Sequence, residues 1–169
     1  MELAPAPEEP YIEKYSKPGE VYVKWNFERN PTKAAGRHAF MRHELEALRE
    51  QHSLLPSYFP EPYYAVRDQK ERVVAIGMEA LDLWKPVREA ASVTGPRHTE
   101  QLYFDIEDAV QTLHGHGNPH GDLLNNTWVD REGELAIVDP LGYREDEVWE
   151  EELMERDMED LEVLEDYLL

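Results

Sequence analysis

Residues 114–143, HGHGNPHGDLLNNTWVDREGELAIVDPLGY, hold the side chains of this chain best suited to chemistry. Asp122 and Asp139 each stand at the edge of an apolar run, and Asn125 and Asn126 follow closely on the first. Trp128-Val129 and Leu135 to Val138 read as two short strands about the polar turn Asp130-Arg131-Glu132-Gly133. A hairpin of that length returns both acids to one end, so Asp122, the asparagines and Asp139 should converge. Oxygen donors gathered in this way suit a hard cation such as Mg²⁺, which takes one or two carboxylates and leaves the rest of its shell to phosphate and water. His114, His116, His120 and Asp122 are also zinc-type donors. The Gly, Asn and Pro residues between them give a plainer account, a helix-to-strand connection.

The elements that must position these groups can be read outward from them. Leu102, Ile106, Ala109, Val110 and Leu113 recur at helical spacing, predicting a helix over Thr99 to His114 with Thr99 as its N-cap and Gly115, Gly117 and Pro119 as its stop. Far upstream, Tyr11 to Tyr15 and Glu20 to Asn26 flank the turn signal Lys17-Pro18-Gly19, which predicts a β-hairpin. Alternation along its second strand puts Tyr22 and Lys24 on one face and Val21, Val23 and Trp25 on the other. Thr32 to Gln51 is helical in pattern, with Phe40, Met41, Leu45 and Leu48 in one apolar stripe. Glu44 falls inside that stripe, and a carboxylate on a core-facing surface is costly without a cation. Lys24 is the candidate partner; the alternative is that Glu44 reaches water at the stripe's edge.

Between these parts, Ser53 to Pro62 reads as a loop and Tyr63 to Val66 with Val73 to Gly77 as a second hairpin. Asp82 to Val93 reads as a short helix broken at Thr94-Gly95-Pro96. At the C-terminal end, Leu153, Met154, Met158, Leu161, Leu164 and Leu168 share one face of a docked amphipathic helix.

His120-Gly121-Asp122-Leu123 with Asn126, followed by Ile137-Val138-Asp139-Pro140-Leu141-Gly142, resembles the catalytic and metal-binding loops of the protein-kinase-like superfamily. The likeness is to its atypical branch, which holds the aminoglycoside phosphotransferases, the RIO-type kinases and still smaller kinases, and in which Gly stands between the His and the Asp. The resemblance covers about residues 11–169. It implies an α+β fold of two lobes: a small antiparallel β lobe over residues 11–81, carrying one helix, and a truncated helical lobe over 82–169. The Pro-rich, polar composition of residues 1–10 itself predicts a disordered tail. It implies ATP as phosphate donor, Mg²⁺ as cofactor and a hydroxyl acceptor, either a protein Ser/Thr or a small molecule.

The resemblance also distributes roles. Asp122 would position the acceptor hydroxyl. Asn126 and Asp139 would hold Mg²⁺, with Asn125 as the alternative to Asn126, because the family's Asn stands five residues after its Asp and that place here is Thr127. Val21-Tyr22-Val23-Lys24 resembles the strand whose Lys grips the phosphates, and Glu44 would hold that Lys. Met78, Glu79, Ala80 and Leu81 resemble the hinge whose backbone meets adenine. His120 would be a structural brace, and Asp157 or Asp160 would brace the catalytic loop from the last helix. The family's Gly-rich phosphate loop has no counterpart, Gly19 being the only glycine upstream of Lys24.

Composition bounds the rest. At 169 residues and 41% hydrophobic the chain can bury one core, and it has no cysteine for disulfides or thiolate sites. No long apolar run and no basic-then-apolar leader is present, which predicts a soluble, cytoplasmic protein with no membrane partner. The charge of −20 argues against nucleic acid as a partner. Few lysines with many carboxylates suit high salt, as in a halophilic host or a virus of one. The plainer account is an acidic tail, since residues 144–169 hold 13 acidic against 2 basic side chains. Two other functional classes stay open: a catalytically weak pseudokinase or nucleotide-binding scaffold, and an acidic interaction module that mimics nucleic acid.

Overall fold

The computed structural model describes residues 10–26, 31–92, 95–140 and 147–169. Segment 1–9, for which a disordered tail is expected, and Leu141-Gly142 of the second motif lie outside the described residues.

The fold is α+β, with four helices, a four-stranded antiparallel sheet and a smaller three-stranded antiparallel sheet among the described residues. Strands β1 (Tyr11–Lys14), β2 (Val21–Trp25), β3 (Pro62–Arg67) and β4 (Val73–Glu79) make the larger sheet in the order β1-β3-β4-β2. The β3–β4 hairpin forms as expected, closed by Asp68, whose carboxylate accepts the amides of Lys70 and Arg72. The β1–β2 hairpin does not form. β1 pairs with β3, and β2 pairs with β4, on opposite edges of the sheet. The turn signal at Lys17-Pro18-Gly19 reverses the chain, but the ladder partners of both strands come from the later hairpin inserted between them.

Helix α1 (Pro31–Leu54) packs on the sheet face that carries Lys24 and Ile76, which are register partners. It buries Met41, Glu44, Leu45, Ala47, Leu48 and Gln51, whereas Phe40, expected in the same stripe, is 42% exposed. Position 40 lies one residue ahead of Met41 and so turns out of the 41-44-45-48 face.

After β4 the chain runs without helix through Asp82 to Trp84, adds the two-residue strand β5 (Lys85–Pro86) and makes a 3-10 helix at Val87–Ser92. Of the expected helix over Asp82 to Val93, Asp82 to Pro86 is not helical and Val87–Ser92 is 3-10, while Val93 and the expected break at Thr94 lie outside the described residues. Pro86, which lacks an amide hydrogen, is accommodated in the edge strand β5. Helix α2 (Pro96–Gly115) starts earlier than predicted, with Gly95 as its N-cap and Pro in its first turn. Thr99 is inside the helix instead, its hydroxyl donating to Pro96 O at 2.9 Å.

The short helix α3 (Leu123–Asn126) leads into β6 (Thr127–Val129) and β7 (Leu135–Ile137), the hairpin expected around Asp130 to Gly133. Helix α4 (Glu147–Leu168) docks through Leu153, Asp157, Leu161, Leu164 and Leu168. Met158, assigned to that face from the sequence, is 51% exposed. Asp157 occupies the inward position next to it. The buried apolar side chains of α1, the larger sheet, α2, the β6–β7 hairpin and α4 form one continuous cluster. Among the described residues, no helix is long and apolar enough to cross a membrane.

Candidate functional site

Four chain segments meet at one end of the two sheets. Lys24 on β2 reaches Glu44 on α1, with Nζ to Oε1 at 2.6 Å, and also Asp139 after β7, with Nζ to Oδ1 at 3.2 Å. Glu44 is 2% exposed and its second oxygen, Oε2, is buried without a partner. Burial pushes the Glu44 carboxyl above the ordinary carboxylate range, against the pull of the Lys24 charge. Burial would also lower the Lys24 ammonium, but the charge and hydrogen bond of Glu44, with Asp139 behind them, outweigh it and hold that lysine above its usual value.

Asp139 adopts φ +49°, a left-handed conformation that Asp tolerates better than branched residues do. The turn of the backbone there follows two anchors on Val138. Its N–H donates to Asn126 O at 3.0 Å, and its carbonyl accepts His120 Nε2–H at 2.9 Å. These bonds tie the Asp122 loop to the Asp139 loop, as the hairpin argument requires.

His120 can make that bond in only one form. Its Nδ1 accepts the Asp122 N–H at 3.2 Å, so the proton resides on Nε2, and the ring is neutral. Complete burial lowers its pKa, and the nearby Asp157 carboxylate only partly offsets that. Asp157, itself 0% exposed, accepts His120 N–H at 2.9 Å, Gly121 N–H at 2.7 Å and His114 Nε2 at 3.0 Å. Gly121 has φ +86°, a conformation a side chain would strain, so glycine is what lets two consecutive amides face one carboxylate. One turn further along α4, Asp160 accepts Leu124 N–H at 3.0 Å; burial raises its carboxyl while that hydrogen bond lowers it.

Both asparagine amides turn toward Asp122. Asn125 Nδ2 donates to Oδ1 at 2.8 Å and Asn126 Nδ2 to Oδ2 at 2.9 Å. Asn126 thereby points its nitrogen at Asp122, while its backbone carbonyl holds the Val138 amide, one residue before Asp139. Asn125 is exposed. Thr127, at the position where the resembled family has its Asn, is fully buried as the first residue of β6 and donates to Leu123 O at 2.8 Å.

The side chains present fit a hard cation: Asp139 is a half-exposed carboxylate, and Asn126, whose backbone carbonyl holds the neighbouring Val138 amide, carries an amide oxygen. Among the described residues no three His, Cys, Asp or Glu side chains are grouped to hold a metal. A cation here would therefore need amide, water and phosphate oxygens, as Mg²⁺ takes them. The zinc alternative finds no grouped donors among the described residues, and His120 spends both ring nitrogens inside the protein, on Val138 O and the Asp122 amide.

Beside these polar groups lies a cleft of about 250 Å³, whose mostly apolar walls include Tyr22, Met78, Ala80, Leu81, Leu83 and Val138. Met78 and Glu79 close β4, with Ala80 and Leu81 just beyond. The Glu79 amide donates to Glu61 O at 2.8 Å and the Ala80 amide to Glu20 O at 3.0 Å, so two of the amides expected to meet adenine are taken by the protein. Sequence reasoning did not anticipate Tyr22 and Leu83 as cleft residues or His114 as a partner of Asp157. For Tyr22 a signal existed, since alternation already put it on the Lys24 face. The chain matches no family model and no curated protein.

Proposed function

We propose that the chain is an ATP- and Mg²⁺-dependent phosphotransferase with a minimal two-lobed kinase-like fold, the larger sheet with α1 forming the small lobe and the segment from β5 to α4 the reduced second one. The observation that carries this reading is the Lys24 ammonium within 3.2 Å of both Glu44 and Asp139, brought together from three distant segments at the mouth of an apolar cleft.

The chain's own residues divide the work. Lys24, oriented by Glu44, supplies positive charge for the phosphates. Asn126 and Asp139 would hold Mg²⁺, which when bound neutralises phosphate charge. Asp122, oriented by both asparagine amides, accepts the hydrogen bond of the acceptor hydroxyl. It receives that proton as the hydroxyl oxygen bonds to the γ-phosphorus and the bond from that phosphorus to the β,γ-bridging oxygen breaks. Positioning and charge neutralisation lower the barrier, and little covalent chemistry is asked of the protein. The acceptor is a protein Ser/Thr or a small-molecule hydroxyl.

The test is Mg²⁺-dependent ATP turnover or autophosphorylation in the native chain, in Asp122→Ala and in Asp139→Ala. Transfer in the native chain alone supports the reading, and equal signals in all three defeat it. One observation favours a second reading, a nucleotide-binding pseudokinase: β2 is the outer strand of its sheet, and no described strand beyond it covers the phosphates. Thermal stabilisation by Mg²⁺-ATP without turnover distinguishes it.

A further inference from the structure

We propose that Arg37 binds the terminal phosphate of ATP from helix α1, a proposal that rests on the phosphotransferase reading. The order of groups along β2 sets where that phosphate lies. Tyr22 stands at the apolar cleft, Lys24 follows two residues on with its ammonium against Glu44 and Asp139, and Asn26 lies just past the end of the strand. A nucleotide whose base enters the cleft and whose phosphates meet Lys24 therefore runs toward Asn26. The first turns of α1 are fastened to that end, because His38 Nδ1 lies 3.1 Å from Asn26 Nδ2 and 3.1 Å from Val73 O.

Arg37, next to His38, is placed to meet what arrives there. It precedes Glu44 by about two helical turns, about 10 Å of rise, so both lie on one face of α1 with Met41 between them. Met41 and Glu44 are buried against the sheet, whereas Arg37 is exposed. Arg67 is held by Glu13 and Arg72 by Asp68, but Arg37 has no ion pair or hydrogen bond among the described residues. Its charge nonetheless reaches the site: burial raises the Glu44 carboxyl, and the charges of Lys24 and Arg37 both pull it back.

A triphosphate has use for that charge. Lys24 stands against the carboxylates of Glu44 and Asp139, with the Asp122 loop tied to the Asp139 loop, and a triphosphate carries more negative charge than one Mg²⁺ neutralises. β2 is also the outer strand of its sheet, so among the described residues no strand beyond it offers amides to the phosphates. A guanidinium stays protonated, and its planar fork matches two phosphate oxygens.

The experiment measures binding of Mg²⁺-ATP and Mg²⁺-ADP to the native chain, Arg37→Gln and Arg37→Lys. The expected result is that Arg37→Gln weakens ATP by roughly ten- to hundredfold and ADP by less than about threefold, with Arg37→Lys between it and the native chain. ATP affinity within about twofold of native in Arg37→Gln overturns the proposal and leaves the phosphotransferase reading standing. An equal loss for ATP and ADP also overturns it, since Arg37 would then act only through Glu44 on Lys24. If the native chain binds neither nucleotide, both fall.

Discussion

The Lys24 ammonium and the Glu44 carboxylate meet at 2.6 Å across an asymmetric boundary, with the lysine partly open to water and the glutamate almost wholly enclosed. Removing the two partners should therefore cost different amounts. Glu44→Gln leaves a lysine that still reaches Asp139 and solvent, at about 1 kcal/mol. Lys24→Met strands a buried carboxylate that already has one unpaired oxygen, at about 3 kcal/mol. The second penalty should shrink as pH falls toward about 4.5, because a carboxyl whose folded pKa is raised relieves itself by protonation. Urea denaturation of both variants at pH 7 and pH 5 checks the order and the trend; equal losses at both pH values would mean that the pair is not the buried contact described.

His120 supplies a pH dependence of the opposite sense. Burial lowers its folded pKa below the unfolded value of about 6.5, so its stabilising effect is complete above that pH. Below it the unfolded chain takes up a proton that the folded chain refuses, and stability falls by up to about 1.4 kcal/mol per pH unit until the folded pKa is reached. Glu44 and Asp160, whose carboxyls are raised, act the other way as pH falls. The difference between the native chain and His120→Gln isolates the histidine. Unfolding free energies measured from pH 7.5 to 5 should converge as pH falls, and parallel curves would show that His120 is not held neutral.

Asp157 predicts a loop-specific effect. Its carboxylate meets three N–H donors at 0% exposure, and Asp157→Asn would turn an amide NH₂ against at least one of them. A loss of about 2–4 kcal/mol follows, against under about 1 kcal/mol for Asp160→Asn, whose remaining carbonyl oxygen can still accept the Leu124 amide at a partly exposed site. Hydrogen exchange should accelerate at His120 and Gly121 in the first variant and at Leu124 in the second. Uniform acceleration over α4 in both would point to helix docking instead.

The sequence made the site's parts more legible than their assembly. The buried position of Glu44 follows from its place between Met41, Leu45 and Leu48, and the β6–β7 hairpin from the turn at Asp130 to Gly133, because both are local patterns. The pairing of β1 with β3 was not legible. Nothing in Tyr11 to Lys14 says which distant strand completes its ladder, and a strong local turn at Pro18-Gly19 suggested the wrong one. Phe40 and Met158 were misplaced for a related reason: a one-residue rotation of the stripe exchanges a core position for a solvent one, so that Met41 and Asp157 hold the inward places beside them. The contact of His114 with Asp157 joins α2 to α4 and leaves no periodic signal.

A packing prediction concerns the outer face of the larger sheet. A Cβ added at Gly77 would lie 2.3–2.6 Å from ring carbons of Tyr64, which covers the glycine from the neighbouring strand. Gly77→Ala must displace that ring and should cost about 1–3 kcal/mol. Tyr64→Ser removes the obstacle, so the double variant should be more stable than the sum of the single losses predicts, by about 1 kcal/mol. Thermal denaturation of the four chains measures this coupling, and strict additivity would show that the ring is not what excludes a side chain at position 77.

Asn126 and Asn125 are separated by what their backbones hold. The Asn126 carbonyl accepts the Val138 amide, which fixes this residue one position from Asp139, and its side-chain nitrogen is spent on Asp122. On the phosphotransferase reading Asn126 is therefore the ligand of a cation shared with Asp139, whereas Asn125 sits on the exposed turn of α3, where its side-chain nitrogen donates to Asp122. On the phosphotransferase reading, Asn126→Ala should raise the Mg²⁺ concentration needed for half-maximal ATP binding by about tenfold or more, and Asn125→Ala by less than about threefold. Mg²⁺ titrations at fixed ATP distinguish the two. A larger shift in Asn125→Ala would transfer the ligand role to Asn125, and with it the inference that the Val138 hydrogen bond chooses between the neighbours would fail.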